Sequence, residues 1–205
     1  MIYQKIKDNI ERLDLSTMRS NRTDVHNQLI TYIQTKVDNN EEVNLNFICT
    51  HNSRRSHLSQ IWAQTMASYF GIPNVNCYSG GTEATAMFPM TAQTLQDQGF
   101  IFQTLTEGAN PVYAIKYSPN RQPIIGFSKT YFDDFNPSSD FAAVLTCSEA
   151  DADCPFIPTA DVRIPLTFDD PKLFDGTPEQ VEKYKERSLQ IATELHAIFS
   201  KIKMK

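Results

Sequence analysis

The sequence predicts an α/β fold, with a doubly wound four-stranded parallel sheet and flanking helices. Four short segments have the apolar or alternating pattern of strands: residues 43–48, 75–79, 141–146 and 162–166. Helix-forming segments alternate with these runs, at residues 57–69, 89–98 and 177–203. Strands that alternate with helices are typical of a parallel sheet covered by helices.

Reactive and polar residues stand just after the predicted strands. They are Cys49, Cys147 and the run Phe168-Asp169-Asp170, with Ser79 at the end of its own predicted strand. Ligands of open α/β sheets bind at the carboxyl ends of the strands. We therefore expect these side chains to converge on one site.

Two parts of the chain fall outside this alternation. Ile2, Ile6 and Ile10 recur at helical spacing and a second apolar stripe follows, so residues 1–40 are predicted to form an N-terminal helical extension to an α/β domain of residues 41–205. His26 is expected on the surface of the second helix. Residues 111–127 carry two apolar runs around Ser-Pro-Asn-Arg, which predicts an inserted β-hairpin.

Bulk properties narrow the class of function. The 205 residues carry a net charge of −5, which argues against nucleic acid or an anionic membrane as the main partner. There is no run of 18 apolar residues, and the first 25 residues show no signal-peptide pattern, so we expect a cytoplasmic protein. In that compartment four cysteines indicate catalytic, redox or metal-binding roles rather than structural disulfides.

The stretch Cys49-Thr-His-Asn-Ser-Arg-Arg-Ser56 has the residue types of an oxyanion-binding loop. Backbone N–H groups of a tight loop at the start of a helix bind anions, and the helix dipole adds to that field. The same field favours the thiolate form of Cys49, the predicted nucleophile. Arg55 offers a planar fork for two oxygens of the anion, and the Ser56 hydroxyl can stabilise the sulfur. The predicted oxyanion-binding residues are Thr50, His51, Asn52, Ser53, Arg54, Arg55 and Ser56.

A cysteine and an arginine six positions apart also occur by chance. The alternative interpretation is an inert buried thiol beside a surface arginine. Cys77, in the middle of the second predicted strand, is interpreted in that way, as a small buried hydrophobe.

A second pair of cysteines, Cys147 and Cys154, encloses the acidic segment Ser-Glu-Ala-Asp-Ala-Asp. A zinc site would need two further ligands that the neighbouring sequence does not supply, so a redox pair fits better. If the segment were helical, the two Cα atoms would be ~10 Å apart. A disulfide needs about 4.4–6.8 Å, so oxidation would require the helix to unwind.

Asp170, followed by Pro171, is the candidate general acid. A carboxyl group opposite the nucleophile can protonate a departing oxygen. The alternative is an ordinary Asp-Pro turn.

These stretches together resemble the low-molecular-weight protein tyrosine phosphatase fold family, in particular its thioredoxin-coupled arsenate reductase branch. The loop from Cys49 to Ser56 looks like the phosphate loop, and Cys147 with Cys154 resembles the resolving pair that separates the reductases from the phosphatases. The run 168–171 resembles the general-acid loop and favours Asp170 over Asp169. His51 departs from the pattern, because it stands where the loop usually has glycine.

The resemblance implies a cysteine relay that reduces arsenate to arsenite, with Cys49, Arg55, Asp170, Cys147 and Cys154 as catalytic residues. Thioredoxin is the expected reductant, and no bound cofactor or metal is required. A phosphatase acting on phosphotyrosine or small phosphomonoesters is the alternative, since Cys49, Arg55 and Asp170 suffice for it. A third alternative is a module that binds an oxyanion without turnover, for which His51 is the best support.

Overall fold

Four parallel strands form the centre of the structure, a computed structural model that describes residues 1–18, 22–153 and 156–204. The strands are β1 (Val43–Cys49), β2 (Val75–Gly81), β6 (Phe141–Leu145) and β7 (Val162–Ile164). They lie in the order β2-β1-β6-β7. The predicted parallel sheet of four strands is confirmed.

Six α-helices accompany the strands in the described part of the chain: α1 (Gln4–Glu11), α2 (Thr23–Asp38), α3 (Arg55–Tyr69), α4 (Pro89–Asp97), α5 (Ser148–Asp153) and α6 (Gln180–Phe199). Two short 3₁₀ turns, Leu15–Thr17 and Pro171–Phe174, lie between them. None of the described helices is long and apolar enough to cross a membrane.

The sheet has a core on each face, because successive side chains of a strand point to opposite sides. Leu45 and Phe47 of β1 belong to the larger core, which they share with buried residues of α3 and α6. Ile48 belongs to a smaller core on the other face, together with Cys147 and Ala150. Residues of both faces are therefore apolar, as expected for parallel strands covered on both sides.

The two N-terminal helices bury apolar side chains in the larger core. Ile6 and Ile10 of α1 and Leu29 and Ile33 of α2 are fully buried there or nearly so. The division into units at residue 40 stays a prediction. The expectation of a surface position for His26 is wrong: its side chain is 12% exposed and contacts a buried glutamate of α6.

The inserted hairpin forms, with β4 (Val112–Lys116) antiparallel to β5 (Ile124–Gly126). A third strand that the sequence analysis missed, β3 (Ile101–Thr106), pairs with the other edge of β4. Its side chains are largely exposed, so it lacks the buried apolar pattern that identified the other strands.

Candidate active site

A tight loop joins β1 to α3 at the carboxyl edge of the sheet. Cys49 is the last residue of β1, and α3 begins at Arg55, two residues earlier than the sequence predicted. The N-cap residue of α3, Arg54, makes no side-chain capping hydrogen bond. The first N–H groups of a helix have no partner inside the helix, so they remain available to an anion at this position.

The carbonyl groups of the loop accept hydrogen bonds from outside it. Thr50 O accepts from Glu83 N at 2.8 Å, and Ser53 O accepts from Phe88 N at 3.0 Å. Because the C=O and N–H of one trans peptide point in opposite directions, the N–H groups of His51 and Arg54 are directed to the other side. The loop thus presents donors inward, as an oxyanion site requires.

The Cys49 sulfur is held by a short chain of polar side chains. Cys49 is 4% exposed, and its Sγ lies 3.1 Å from Ser56 Oγ. Asn52 Nδ2 donates to that same Oγ at 2.8 Å, while Asn52 Oδ1 accepts from the Lys129 backbone N–H at 2.9 Å. Since the Ser56 oxygen already accepts from Asn52, its own hydrogen is available to a Cys49 thiolate.

Arg55 connects the loop to the segment after β7. Its side chain is buried, and its two Nη atoms donate to Phe168 O at 2.9 Å and to Asp170 Oδ2 at 2.6 Å. The neighbouring Asp169 is 69% exposed and lies 3.3 Å from the Arg187 guanidinium instead. Of the two carboxylates, Asp170 is therefore the one at the site.

The Arg54 side chain is directed elsewhere. Its guanidinium donates to Asp175 at 2.6 Å and to the Tyr184 hydroxyl, and it stacks 4.1 Å from the centre of the Phe88 ring. Only the backbone of Arg54 is left to contribute to the predicted oxyanion loop.

Cys147 lies in the same small core as Cys49, one strand away in the sheet. It is fully buried, with its Sγ 3.6 Å from Thr50 Oγ1 and 3.3 Å from the Ala150 backbone N–H. Burial raises the pKa of the Cys147 thiol, and the nearby Arg55 guanidinium partly opposes that rise. The structure thus brings together the first and second cysteines of the predicted relay.

The acidic segment after Cys147 forms the helix α5, the conformation in which oxidation of Cys147 and Cys154 is expected to require unwinding. Glu149 of this helix lies 3.7 Å from Arg55 Nη1 and is 60% exposed. The hydrogen bond from its own backbone N–H, followed by Arg55, lowers the pKa of Glu149. Cys154, the third cysteine of the predicted relay, lies outside the described residues.

Ser79 does not follow its strand but lies inside β2, paired with Phe47 of β1. The prediction that Ser79 marks the end of its strand is wrong, because β2 continues to Gly81. Its hydroxyl lies 3.3 Å from Nδ1 of the buried His57, a contact that the sequence analysis missed. Burial, followed by the Lys129 ammonium, lowers the pKa of His57 to about 3.

Lys129 is a second buried residue that no pattern in the sequence singles out. It is 2% exposed, with its ammonium 4.3 Å from the Phe127 ring centre and 5.2 Å from that of Phe135. Burial lowers the pKa of Lys129 to about 8. A lysine between two aromatic residues in sequence is common on surfaces, and only the fold shows that this one is enclosed.

No protein-family model matches the sequence. Curated relatives do match. An arsenate reductase of Staphylococcus aureus (strain Newman) is 27% identical over 125 residues, which cover 61% of this chain and 76% of the relative. An arsenate reductase of Staphylococcus epidermidis (strain ATCC 12228 / FDA PCI 1200) is 26% identical over the same shares of the two chains. The matching relatives are enzymes.

Solved structures share the fold. A YwlE arginine phosphatase with a phosphorylated active-site serine superposes with a TM-score of 0.51 and 15% identity, over 77% of this chain and 94% of that one. A YwlE mutant from Bacillus subtilis gives a TM-score of 0.50 and 14% identity, over 78% of this chain and 97% of that one. The chain therefore shares its fold with these phosphatase structures and has arsenate reductases as sequence relatives, which confirms the predicted resemblance.

Proposed function

We propose that this protein is an arsenate reductase that works by a cysteine relay and is regenerated by thioredoxin. The observation that carries the proposal is the placement of Cys147. A second buried thiol lies against Thr50 of the oxyanion loop and shares a small core with Cys49. A phosphatase of this fold has no use for a thiol there, whereas a reductase needs one to accept the nucleophile.

In the first step, the Cys49 thiolate attacks arsenic of an arsenate held by loop N–H groups and Arg55. One oxygen leaves arsenic as water, with its proton supplied by Asp170. The product is a Cys49 Sγ–As(V) bond. The contact of Arg55 with Asp170 at 2.6 Å supports this division of roles, because it places acid and anion-binding arginine on the same side of the loop.

In the second step, the Cys147 thiolate attacks Cys49 Sγ. The S–As bond breaks, and its electron pair stays on arsenic, which is reduced from As(V) to As(III) and leaves as arsenite. A Cys49–Cys147 disulfide remains. The Arg55 guanidinium and the Ala150 N–H favour the Cys147 thiolate that this attack requires, although burial opposes it.

In the third step, Cys154 attacks Cys147 Sγ, which frees the Cys49 thiolate and moves the disulfide outward. The dithiol of thioredoxin then supplies two electrons by disulfide exchange. The role of Cys154 rests on the sequence. Since such a relay needs a reducing compartment, the proposal includes the cytoplasm as its location.

One experiment separates the reductase from its alternative. Purified protein is given arsenate with thioredoxin, thioredoxin reductase and NADPH, and in parallel an aryl phosphate without thiols. We expect arsenite release coupled to NADPH oxidation. If NADPH is not oxidised but aryl phosphate is hydrolysed, the reductase proposal fails and the phosphatase becomes the better assignment.

The phosphatase alternative has one favourable observation of its own. Cys49, Arg55 and Asp170 lie together without any contribution from Cys147, and these three suffice to hydrolyse a phosphomonoester through a cysteinyl-phosphate. Slow aryl-phosphate hydrolysis is thus expected even of the reductase.

A further inference from the structure

A partly buried arginine at the start of α2 joins three parts of the structure. Arg22 Nη1 lies 2.6 Å from Glu194 Oε1 on α6, and Nη2 donates to Thr167 O at 2.7 Å. The Arg22 side chain is 12% exposed and that of Glu194 3%. His26 Nε2, one turn further along α2, lies 2.9 Å from the other Glu194 oxygen. We call Arg22, His26 and Glu194 the N-terminal clamp.

Phe168 connects this clamp to the candidate active site. The Arg22 guanidinium stacks over the Phe168 ring, 4.8 Å from its centre. The carbonyl oxygen of the same residue accepts from Arg55 Nη1, and Asp170 follows two positions later. Arg22, which belongs to the N-terminal extension, thus contacts Phe168, and Phe168 in turn accepts a hydrogen bond from the oxyanion-binding Arg55.

The chain between β7 and the 3₁₀ turn at Pro171 has no regular secondary structure, so its shape depends on individual contacts. Among the contacts described there, Phe168 N donates to Thr146 O at 3.0 Å, and Arg22 binds the adjacent carbonyl and ring. A guanidinium can bind a carboxylate with one arm and a carbonyl with the other while it stacks on a ring. An ammonium cannot make all three contacts in one geometry.

We propose that Arg22 is a positioning residue for Asp170 and Arg55, and that the N-terminal extension thereby supports the chemistry of the site. Arg22 itself touches neither substrate nor reacting atoms. This inference rests on the proposed function, because it assigns Asp170 the role of general acid. A displacement of about 1 Å in a catalytic group can lower a rate by about 10²-fold, so loss of the clamp should be measurable.

The test exploits the leaving group. A poor leaving group such as phenolate requires protonation, whereas 2,4-dinitrophenolate does not. In Arg22→Met we expect kcat for phenyl phosphate to fall by about tenfold or more, and kcat for 2,4-dinitrophenyl phosphate by about twofold or less. Arg22→Lys should lie between wild type and Arg22→Met. The matched control is Arg12→Met, which removes an exposed arginine of the same extension and should change neither rate.

A double variant makes the test specific. If Arg22 acts through Asp170, Arg22→Met should cause little further loss for phenyl phosphate in an Asp170→Asn background, because residues that act as a unit are not additive. Full additivity of the two losses would overturn the proposal. So would equal losses for both aryl phosphates, since these indicate a general loss of folded protein.

A readout without turnover separates failure of the clamp from failure of the proposed function. We expect faster amide hydrogen exchange at residues 166–170 in Arg22→Met, and unchanged exchange in the control. If Arg22→Met does not fold, the same measurement on Arg22→Lys decides the question. If amide exchange at residues 166–170 is unchanged in a folded Arg22 variant, the proposal that Arg22 positions this segment is overturned. Wild-type protein that is inactive on every substrate contradicts the proposed function alone.

Discussion

The Cys49 loop and the Cys147 segment meet at the same edge of the sheet, but they are anchored in different ways. The Cys49 loop is braced from several directions: its carbonyls accept from residues 83, 85, 88 and 128, and Asn52 links Ser56 to the 129 backbone. The six-residue helix α5 places Ala150 in the small core, while Glu149 and Ala152 are exposed. Outside that core, α5 is held by Arg163, which donates to the backbone oxygen and carboxylate of Asp151. A rigid loop suits an anion site, and a short helix with one side chain in the core suits a segment that must unwind to close a disulfide.

The largest expected effect tests the rigid side of this comparison. Cys49→Ser should abolish both arsenate reduction and aryl-phosphate hydrolysis, because serine at this position is a far weaker nucleophile than a thiolate. The loop itself should persist, so phosphate binding measured by calorimetry should be retained. Substantial turnover in this variant would mean that the nucleophile is another residue.

The Cys147 side of the comparison is tested by the other two cysteines. Cys147→Ser should stop the relay after the first adduct, so multiple-turnover arsenate reduction with thioredoxin should fall to background. Cys154→Ser should trap the Cys49–Cys147 disulfide, which peptide mapping after arsenate treatment would detect. Aryl-phosphate hydrolysis should survive both changes. Wild-type arsenate reduction in both variants would contradict the relay.

Arg55→Lys keeps the charge at the loop but removes the planar fork that contacts Phe168 and Asp170. We expect a loss of about 2–4 kcal/mol in transition-state stabilisation, measured as kcat/KM on an aryl phosphate. Circular dichroism and thermal unfolding serve as controls for folding. A near-normal kcat/KM would show that Arg55 supports structure rather than the oxyanion.

The pair Asp169 and Asp170 offers an internal control for the acid. Asp170→Asn should lower kcat for phenyl phosphate by roughly 10²-fold and remove the limb of the pH–rate profile that reports the acid. Asp169→Asn should have a much smaller effect, because that carboxylate faces Arg187 and solvent. If the two effects are reversed, the assignment within the pair is wrong.

The smallest expected effect is on the pH dependence of the free energy of unfolding, through the buried His57. Because the pKa of His57 is lowered to about 3 in the folded state, only the unfolded state takes up its proton between pH 6.5 and about 3. Stability should therefore fall as the pH is lowered through this range, by at most about 1.4 kcal/mol per pH unit from His57. Urea unfolding at pH 7 and pH 4.5 should show a smaller pH-dependent loss in His57→Gln than in wild type. Equal losses would contradict this burial effect.

Local sequence identified the parts of the molecule whose signals are local. The apolar run of β6 and the strand–loop–helix around Cys49 could be predicted because burial on both faces and an oxyanion loop each leave a pattern in adjacent residues. For residues 148–153, the sequence allowed a helix to be considered, and the structure contains one there, α5.

Contacts between distant segments could not be predicted in this way. The pairing of Arg22 with Glu194, and the enclosure of Lys129 and His57, depend on which elements the fold brings together. A charged or titratable residue in a polar stretch of sequence is usually on the surface. The expectation for His26 was wrong for that reason. The pattern of β3 was missed because an exposed strand has no buried face to reveal it.

The backbone angles of the loop explain how histidine can replace its usual glycine. The left-handed conformation falls on Asn52, at φ 43°, and not on His51. Neighbouring residues impose the bend. The hydroxyls of Thr85 and Ser128 donate hydrogen bonds to the His51 carbonyl oxygen. Gly81 packs so closely against the loop that a Cβ at this position would lie 2.7 Å from Thr50 O. Because neighbouring residues fix the bend, the position that tolerates no substitution need not lie in the loop itself. Substitutions at His51 should therefore be tolerated. Substitutions at Gly81 should not, although Gly81 lies outside the Cys49–Ser56 motif by which such loops are recognised.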